Sequence, residues 1–271
     1  MRKLLTYDIS EITPYINWIY FFHAWGMNGK PAVAKEKLKA DAERVLASWE
    51  GEYSTSALFA ILPANSDGDD IIVDGVCVPM LRQQKSYDDG KPNYSLADFV
   101  RPLSQGIPDR LGVFCTTVNL EIKSKGADAY DKMMCQVLCD RLAEGTAEKM
   151  HEEVRRHYWG YAPDERLTME QTHNEEYQGI RPAVGYPSLP DTSVNFIIDR
   201  ILNMKEIGIR LTESGMMTPH ASVSGFMFSH PKSHYFDIGK IGEDQLRDYA
   251  RRRGLPVELV RKFLMRSLIK Q

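Results

Sequence analysis

Three runs rich in β-branched and aromatic residues, at 56–63, 70–80 and 111–122, are separated by turn chemistry or by long helical patterns and never by a repeated strand–helix–strand unit. Parallel strands need long crossover connections, usually helices. The irregular order therefore points to antiparallel pairing and an α+β fold. The segment 65–70, Asn-Ser-Asp-Gly-Asp-Asp, reads as a hairpin connection between the first two runs. Its acidic residues have the look of a calcium loop, but that loop needs a late glutamate and 73–79 offers none. Helical patterns cover 32–49, 127–159, 193–204, 242–252 and 256–269, with Gly254-Leu255-Pro256 as a stop and restart between the last two. Along 127–159, Tyr130, Met134, Val137, Leu138, Leu142, Met150 and Val154 form an apolar stripe, and Asp140, Arg141, Glu144 and Glu148 decorate the rest. The run 223–229 alternates as a strand, and 229–236 reads as a turn into a further short strand.

Several chemistries are excluded. The net charge of −3 gives no electrostatic case for nucleic acid. No apolar run approaches the roughly 18 to 20 residues that span a bilayer, and the N-terminus turns acidic before a signal-peptide core can form. A cytoplasmic protein with no membrane contact is the expectation, and its four cysteines are then reduced thiols. Cys77 and Cys115 fall in strand-like runs and read as core residues, as do Cys135 and Cys139, one helical turn apart. His151 and His157 are six apart, whereas the zinc-protease helix needs histidines four apart. There is no glycine-rich dinucleotide loop, phosphate-binding loop or nucleophile elbow. The aromatic segment 15–25 reads as a core or interface anchor, with His23 as a satisfied buried histidine.

One stretch is poor in apolar periodicity and rich in chemistry: 175–187, Glu-Glu-Tyr-Gln-Gly-Ile-Arg-Pro-Ala-Val-Gly-Tyr-Pro. Arg181 is a planar cation that forks onto a carboxylate. Two prolines stiffen the chain on either side of Gly185. Tyr177 and Tyr186 supply flat walls, and Glu175 and Glu176 supply negative charge. The set suits a zwitterionic ligand with a carboxylate, an ammonium and a flat ring. It also suits an ordered surface loop with one ion pair, the commoner use of such residues.

The segment 179–187, Gly-Ile-Arg-Pro-Ala-Val-Gly-Tyr-Pro, resembles the AdoMet-binding signature of the activation (reactivation) domain of cobalamin-dependent methionine synthase. Tyr158-Trp159-Gly160-Tyr161-Ala162-Pro163, Ala221-Ser222-Val223-Ser224-Gly225, Phe228-Ser229-His230-Pro231, Leu96-Ala97-Asp98-Phe99 and Asp140-Arg141-Leu142-Ala143-Glu144 fit in the family's order. The match spans about 15–253 within a single 1–271 domain. The resemblance implies a helmet-like α+β domain with a twisted antiparallel sheet flanked by helices. It implies AdoMet as ligand, cobalamin carried by a partner in trans, and a flavodoxin-type electron donor. Its job would be to support reductive methylation of cob(II)alamin to methylcobalamin, without activity alone. The same resemblance assigns AdoMet contacts to Asn17, Glu175, Arg181, Gly185, Tyr186, Tyr235 and Phe236, and contact with the cobalamin module to Asp140. The family places an aspartate where this chain has Asn17, which removes a charge facing a cationic ligand, worth on the order of 1 to 3 kcal/mol. No Asp-x-His-x-x-Gly cobalamin motif is present, and Met1 lies near the start of the match, so a stand-alone subunit is expected. The alternative is a docking module that caps a corrinoid protein and no longer uses AdoMet.

Overall fold

The computed structural model describes residues 1–85, 90–119 and 128–269. Its frame is a curled, six-stranded antiparallel sheet, a half-barrel around the long strand β2 (Ser54–Asp67). The first strand, β1 (Arg2–Asp8), pairs with the first half of β2, Arg2 opposite Ala60 and Asp8 opposite Ser54. The second half of the same edge pairs with β3 (Asp70–Val73), which turns back into β4 (Val76–Pro79). On the other edge of β2 lies β5 (Asp109–Val118), and beyond it β8 (Ser222–Met227). A separate two-stranded ribbon joins β6 (Arg210–Leu211) to β7 (Met217–Thr218).

The expected run 70–80 is thus two strands. Asp74 and Gly75 both have positive φ, at 48° and 78°, the geometry of a tight two-residue hairpin turn that Asp-Gly favours. The run 111–122 ends as a strand at Val118, and 120–122 lie outside the described residues. No strand forms at 229–236, where the chain is held by side-chain bonds.

Both faces of the sheet are covered, because alternate side chains of each strand enter different cores. Ala57, Phe59, Ile61 and Phe114 face one way. There they meet α1 (Ile9–Ile12), α2 (Trp18–Ala24), α3 (Ala32–Trp49) and α4 (Ala129–Glu153). Leu58, Ala60, Leu111, Val113 and Cys115 face the other way, toward α6 (Asn195–Leu202) and the loops around Leu96–Phe99. Between α4 and α6 lies the one-turn helix α5 (Met169–His173). A third cluster seats α7 (Glu243–Arg253) and α8 (Val257–Phe263). The last helix is shorter than the 256–269 pattern, ending at Phe263.

Several buried-core expectations change. Cys77 is exposed, because β4 is an outer strand. His23 is also exposed, and its Nδ1 lies 2.7 Å from the Asn28 amide. Cys115 and Cys139 are buried as expected, and Cys135 packs half-buried against the same core as Cys139. Among the described residues no helix is long and apolar enough to cross a membrane.

Candidate functional site

The strap 180–184 is an extra, irregular strand on the free edge of β8. Ile180 and Phe228 exchange backbone bonds of 3.0 and 2.9 Å, and Val184 donates to the Ser224 carbonyl at 2.9 Å. Two glycines make this approach possible. A Cβ on Gly225 would collide with the Pro182 carbonyl oxygen, and one on Gly179 with that of Phe228. Gly179 also has φ +89°, which L side chains avoid. Pro182, which has no N–H, only accepts here, from Phe226 at 3.2 Å.

Facing the strap is α4, capped at its start by the Asp128 carboxylate on the Asp131 N–H. Arg141, Glu144, Gly145 and Glu148 recur at helical spacing and so share a stripe turned toward the strap. At Gly145 the missing side chain lets the turn at 13–15 cross the helix closely: an added Cβ would sit 3.0 Å from Ile12 Cγ2 and 3.5 Å from the Tyr15 backbone. That crossing brings Tyr15, Asn17 and Tyr20 to the same place. A fourth segment, 235–237, is laced to the strap's end by reciprocal bonds between Ser188 and Phe236 and by Ile238 N–H to the Pro187 carbonyl at 3.0 Å. The four segments enclose a cleft of about 600 Å³.

Arg181 lies in this cleft, 8% exposed, with its guanidinium 5.7 Å from the Phe114 ring. Its Nη2 donates to Glu148 Oε2 at 2.8 Å. Burial works against its charge, but Glu148 together with Tyr235, Tyr177 and Glu144 outweighs that and raises its pKa, so Arg181 stays cationic. The Arg181 backbone N–H donates to the Tyr235 hydroxyl at 2.9 Å, which fixes that ring at the wall. Tyr186 donates to Glu144 Oε1 at 2.5 Å, tying the strap to α4. Glu175 sits at the rim with its backbone left-handed at φ +60°, an unusual state for a non-glycine residue that directs its side chain. Burial and the neighbouring Glu148 push its carboxyl above the usual range, against the pull of Arg181.

Behind the cleft, Tyr177 is buried beneath a polar cluster. Its ring packs face-on to the Arg155 guanidinium at 4.1 Å and edge-on to His151 at 5.1 Å. Arg155 donates to His151 Nδ1 at 2.9 Å and pairs with Glu165 at 2.6 Å. Burial and two nearby arginines hold the His151 pKa far below its ordinary value, so its imidazole is neutral. Arg155 lies in a single π-turn, Val154–Tyr158, that ends α4; such turns concentrate at functional sites.

Of the residues singled out from sequence, Asn17, Glu175, Arg181, Tyr186, Tyr235 and Phe236 all line the cleft. Gly185 does not; it turns the strap at φ +90° and so aims Tyr186. Asp140 also lies outside the lining, its carboxylate 3.2 Å from His220 Nδ1. Asn17 caps α2, its Oδ1 accepting from the Ile19 N–H at 3.1 Å. Glu144 and Glu148, taken from sequence as outward decoration of the helix, are the carboxylates that hold Tyr186 and Arg181. Their spacing of four, continued back to Asp140, is the signal that places them on one face.

Fold and site together define the class: an α+β half-barrel with a polar cleft, arginine at its base and carboxylates around it, at the seam of four segments distant in sequence. Residues 8–254 match the family model described as vitamin B12 dependent methionine synthase, activation domain, and the chain belongs to that family. It is similar to a crystal structure of a MetH reactivation domain bound to AdoHcy, with a TM-score of 0.93 and 38% identity over 100% of this chain and 91% of the other.

Proposed function

We propose that this chain is an AdoMet-binding reactivation module that acts with a cobalamin-carrying partner. The observation that supports the reading most is Arg181, buried, charged and held by a single carboxylate at the base of a cleft in a chain similar to an AdoHcy-bound domain. The cleft suits the ligand's chemistry. Arg181 takes the carboxylate of the amino-acid head. Glu175 faces the cationic sulfonium. Tyr186, Tyr235 and Phe236 wall the flat base, and Asn17 offers its amide N–H where its Oδ1 is committed to the helix cap. AdoMet supplies the methyl group. With one electron from a flavodoxin-type donor, cob(II)alamin on the partner becomes methylcobalamin and AdoHcy leaves.

The test is calorimetric titration of the chain with AdoMet, beside Asn17→Asp. Saturable binding that tightens in Asn17→Asp supports the reading, because aspartate keeps the cap and restores the charge. If neither protein binds while both are folded, the reading fails and the AdoMet-independent docking module takes its place.

A further inference from the structure

Two polar atoms at the base of the cleft are buried without a partner, Arg181 Nε and Glu148 Oε1. They belong to the two members of one ion pair, which touches only through Nη2 and Oε2. An arginine and a carboxylate usually close as a fork with two parallel bonds. Here the pair is left half-made, with one donor and one acceptor unused, although an unused buried polar group is costly. The neighbourhood offers Glu148 no second cation among the described residues that line the cleft. Of the other basic residues there, Arg141 stacks on Tyr20 at 5.9 Å and His173 Nε2 lies 3.1 Å from the Tyr15 carbonyl oxygen.

We infer that Glu148 is the acceptor for the ligand's α-ammonium, and that Glu148 and Arg181 together read a zwitterionic α-amino-acid head. The inference rests on the proposed AdoMet reading of the cleft and adds to it the group that recognises the amine. A carboxylate alone would compete with Glu148 for Arg181. A head with carboxylate and ammonium on one carbon satisfies both. The ligand carboxylate shares the guanidinium, and a rotation of the Glu148 carboxylate about its last side-chain bond turns one oxygen to the ammonium while the other stays on Nη2. The charges at the base then alternate in sign. Glu175 is exposed at the rim, and the Arg181 side chain bonds to Glu148 instead.

The experiment compares Glu148→Gln and Glu148→Asp with the parent in titrations with AdoMet and with 5′-methylthioadenosine, which lacks the amino-acid head. Thermal melts check that each variant is folded. Glu148→Gln keeps the bond to Arg181 but loses the charge; it should weaken AdoMet by tenfold or more and leave 5′-methylthioadenosine unchanged. Glu148→Asp, charged but shorter, should recover part of the loss. Equal AdoMet affinity in Glu148→Gln and parent overturns the inference while leaving the cleft as the AdoMet site. Equal weakening of both ligands also overturns it, since the residue then only shapes the cleft. If the parent itself does not bind AdoMet, the reading on which the inference rests falls first.

Discussion

At the scale of single residues, Arg181 is bound to function and stability at once. Its truncation to alanine would leave Glu148 as a buried charge without a partner, which costs about 3–5 kcal/mol. Arg181→Lys is the cleaner probe. It keeps the cation beside Glu148 but cannot fork, so AdoMet affinity should fall about 10- to 100-fold, the worth of a charge-assisted bond, with a small change in melting temperature. Calorimetry beside a melt separates the two effects. Glu175 gives a pH test. Its carboxyl sits above the usual range in the free chain. A bound sulfonium favours the carboxylate and lowers that pKa, so binding releases a proton. Affinity for AdoMet should therefore be full above the free-state pKa and decline as pH falls through it. AdoHcy, without the sulfonium charge, should decline less, and Glu175→Gln should flatten the AdoMet profile above pH 4.5, the side to which the Glu175 pKa is raised. Arg181 was legible in the sequence because the segment 179–187 resembles a known ligand-binding signature; its residue types alone left a surface ion pair as the commoner reading. Glu148 was not, because a helix carboxylate reads as solvated until the strap closes over it.

At the scale of elements, the strap works because β8 lacks a side chain where Pro182 crosses. Gly225→Ala should push the Pro182 carbonyl away and release the pairing of 180–184 with β8. Overpacking of this kind costs about 1–3 kcal/mol. The measurable signature is local: faster amide exchange at Ile180 and Val184, cleavage by protease within the strap, and weakened ligand binding, with β2 and β5 unchanged. The element map was readable where local chemistry decides it. The helix 32–49 matches α3 at both ends, and the turn at 67–70 pairs Asp67 with Asp70 as hairpin chemistry requires. It failed at Asp74-Gly75, where a hairpin turn hid inside one apolar run. It failed again at 229–236, where Tyr235 and Phe236 are fixed by contacts with Arg181 and Ser188 that lie some fifty residues away in sequence.

At the scale of the whole molecule, an antiparallel α+β fold follows from the order of the runs, but the burial of both sheet faces does not. The alternation of β2 and β5 is apolar on both sides, and only the count of helices says there is enough to cover them. The cleft is the least local feature of all, assembled from 15–20, 141–148, 172–188 and 235–237. Its rear support is a polar cluster sealed from water, and this ties global stability to pH. His151 is neutral and fully buried, accepting from Arg155 and set edge-on against Tyr177. Arg155 and Arg181 both oppose its protonation, and no carboxylate faces it directly, since Glu165 is spent on Arg155. Its folded pKa is depressed below the unfolded value near 6.5. Below that value the unfolded chain takes up a proton that the folded chain refuses. Stability from this group is therefore full above about pH 6.5 and falls by about 1.4 kcal/mol per pH unit below it. Glu152 has a lowered pKa and acts only at more acidic pH, and Glu175, with a raised one, works in the opposite sense. The comparison that isolates His151 is urea denaturation of parent and His151→Gln at pH 7 and pH 5. Glutamine cannot charge but can still accept from Arg155. The parent should lose about 2 kcal/mol more than the variant between the two pH values. Equal losses would mean that the imidazole is reached by water or paired with a carboxylate in solution, and that the cluster behind the cleft is looser than its geometry implies.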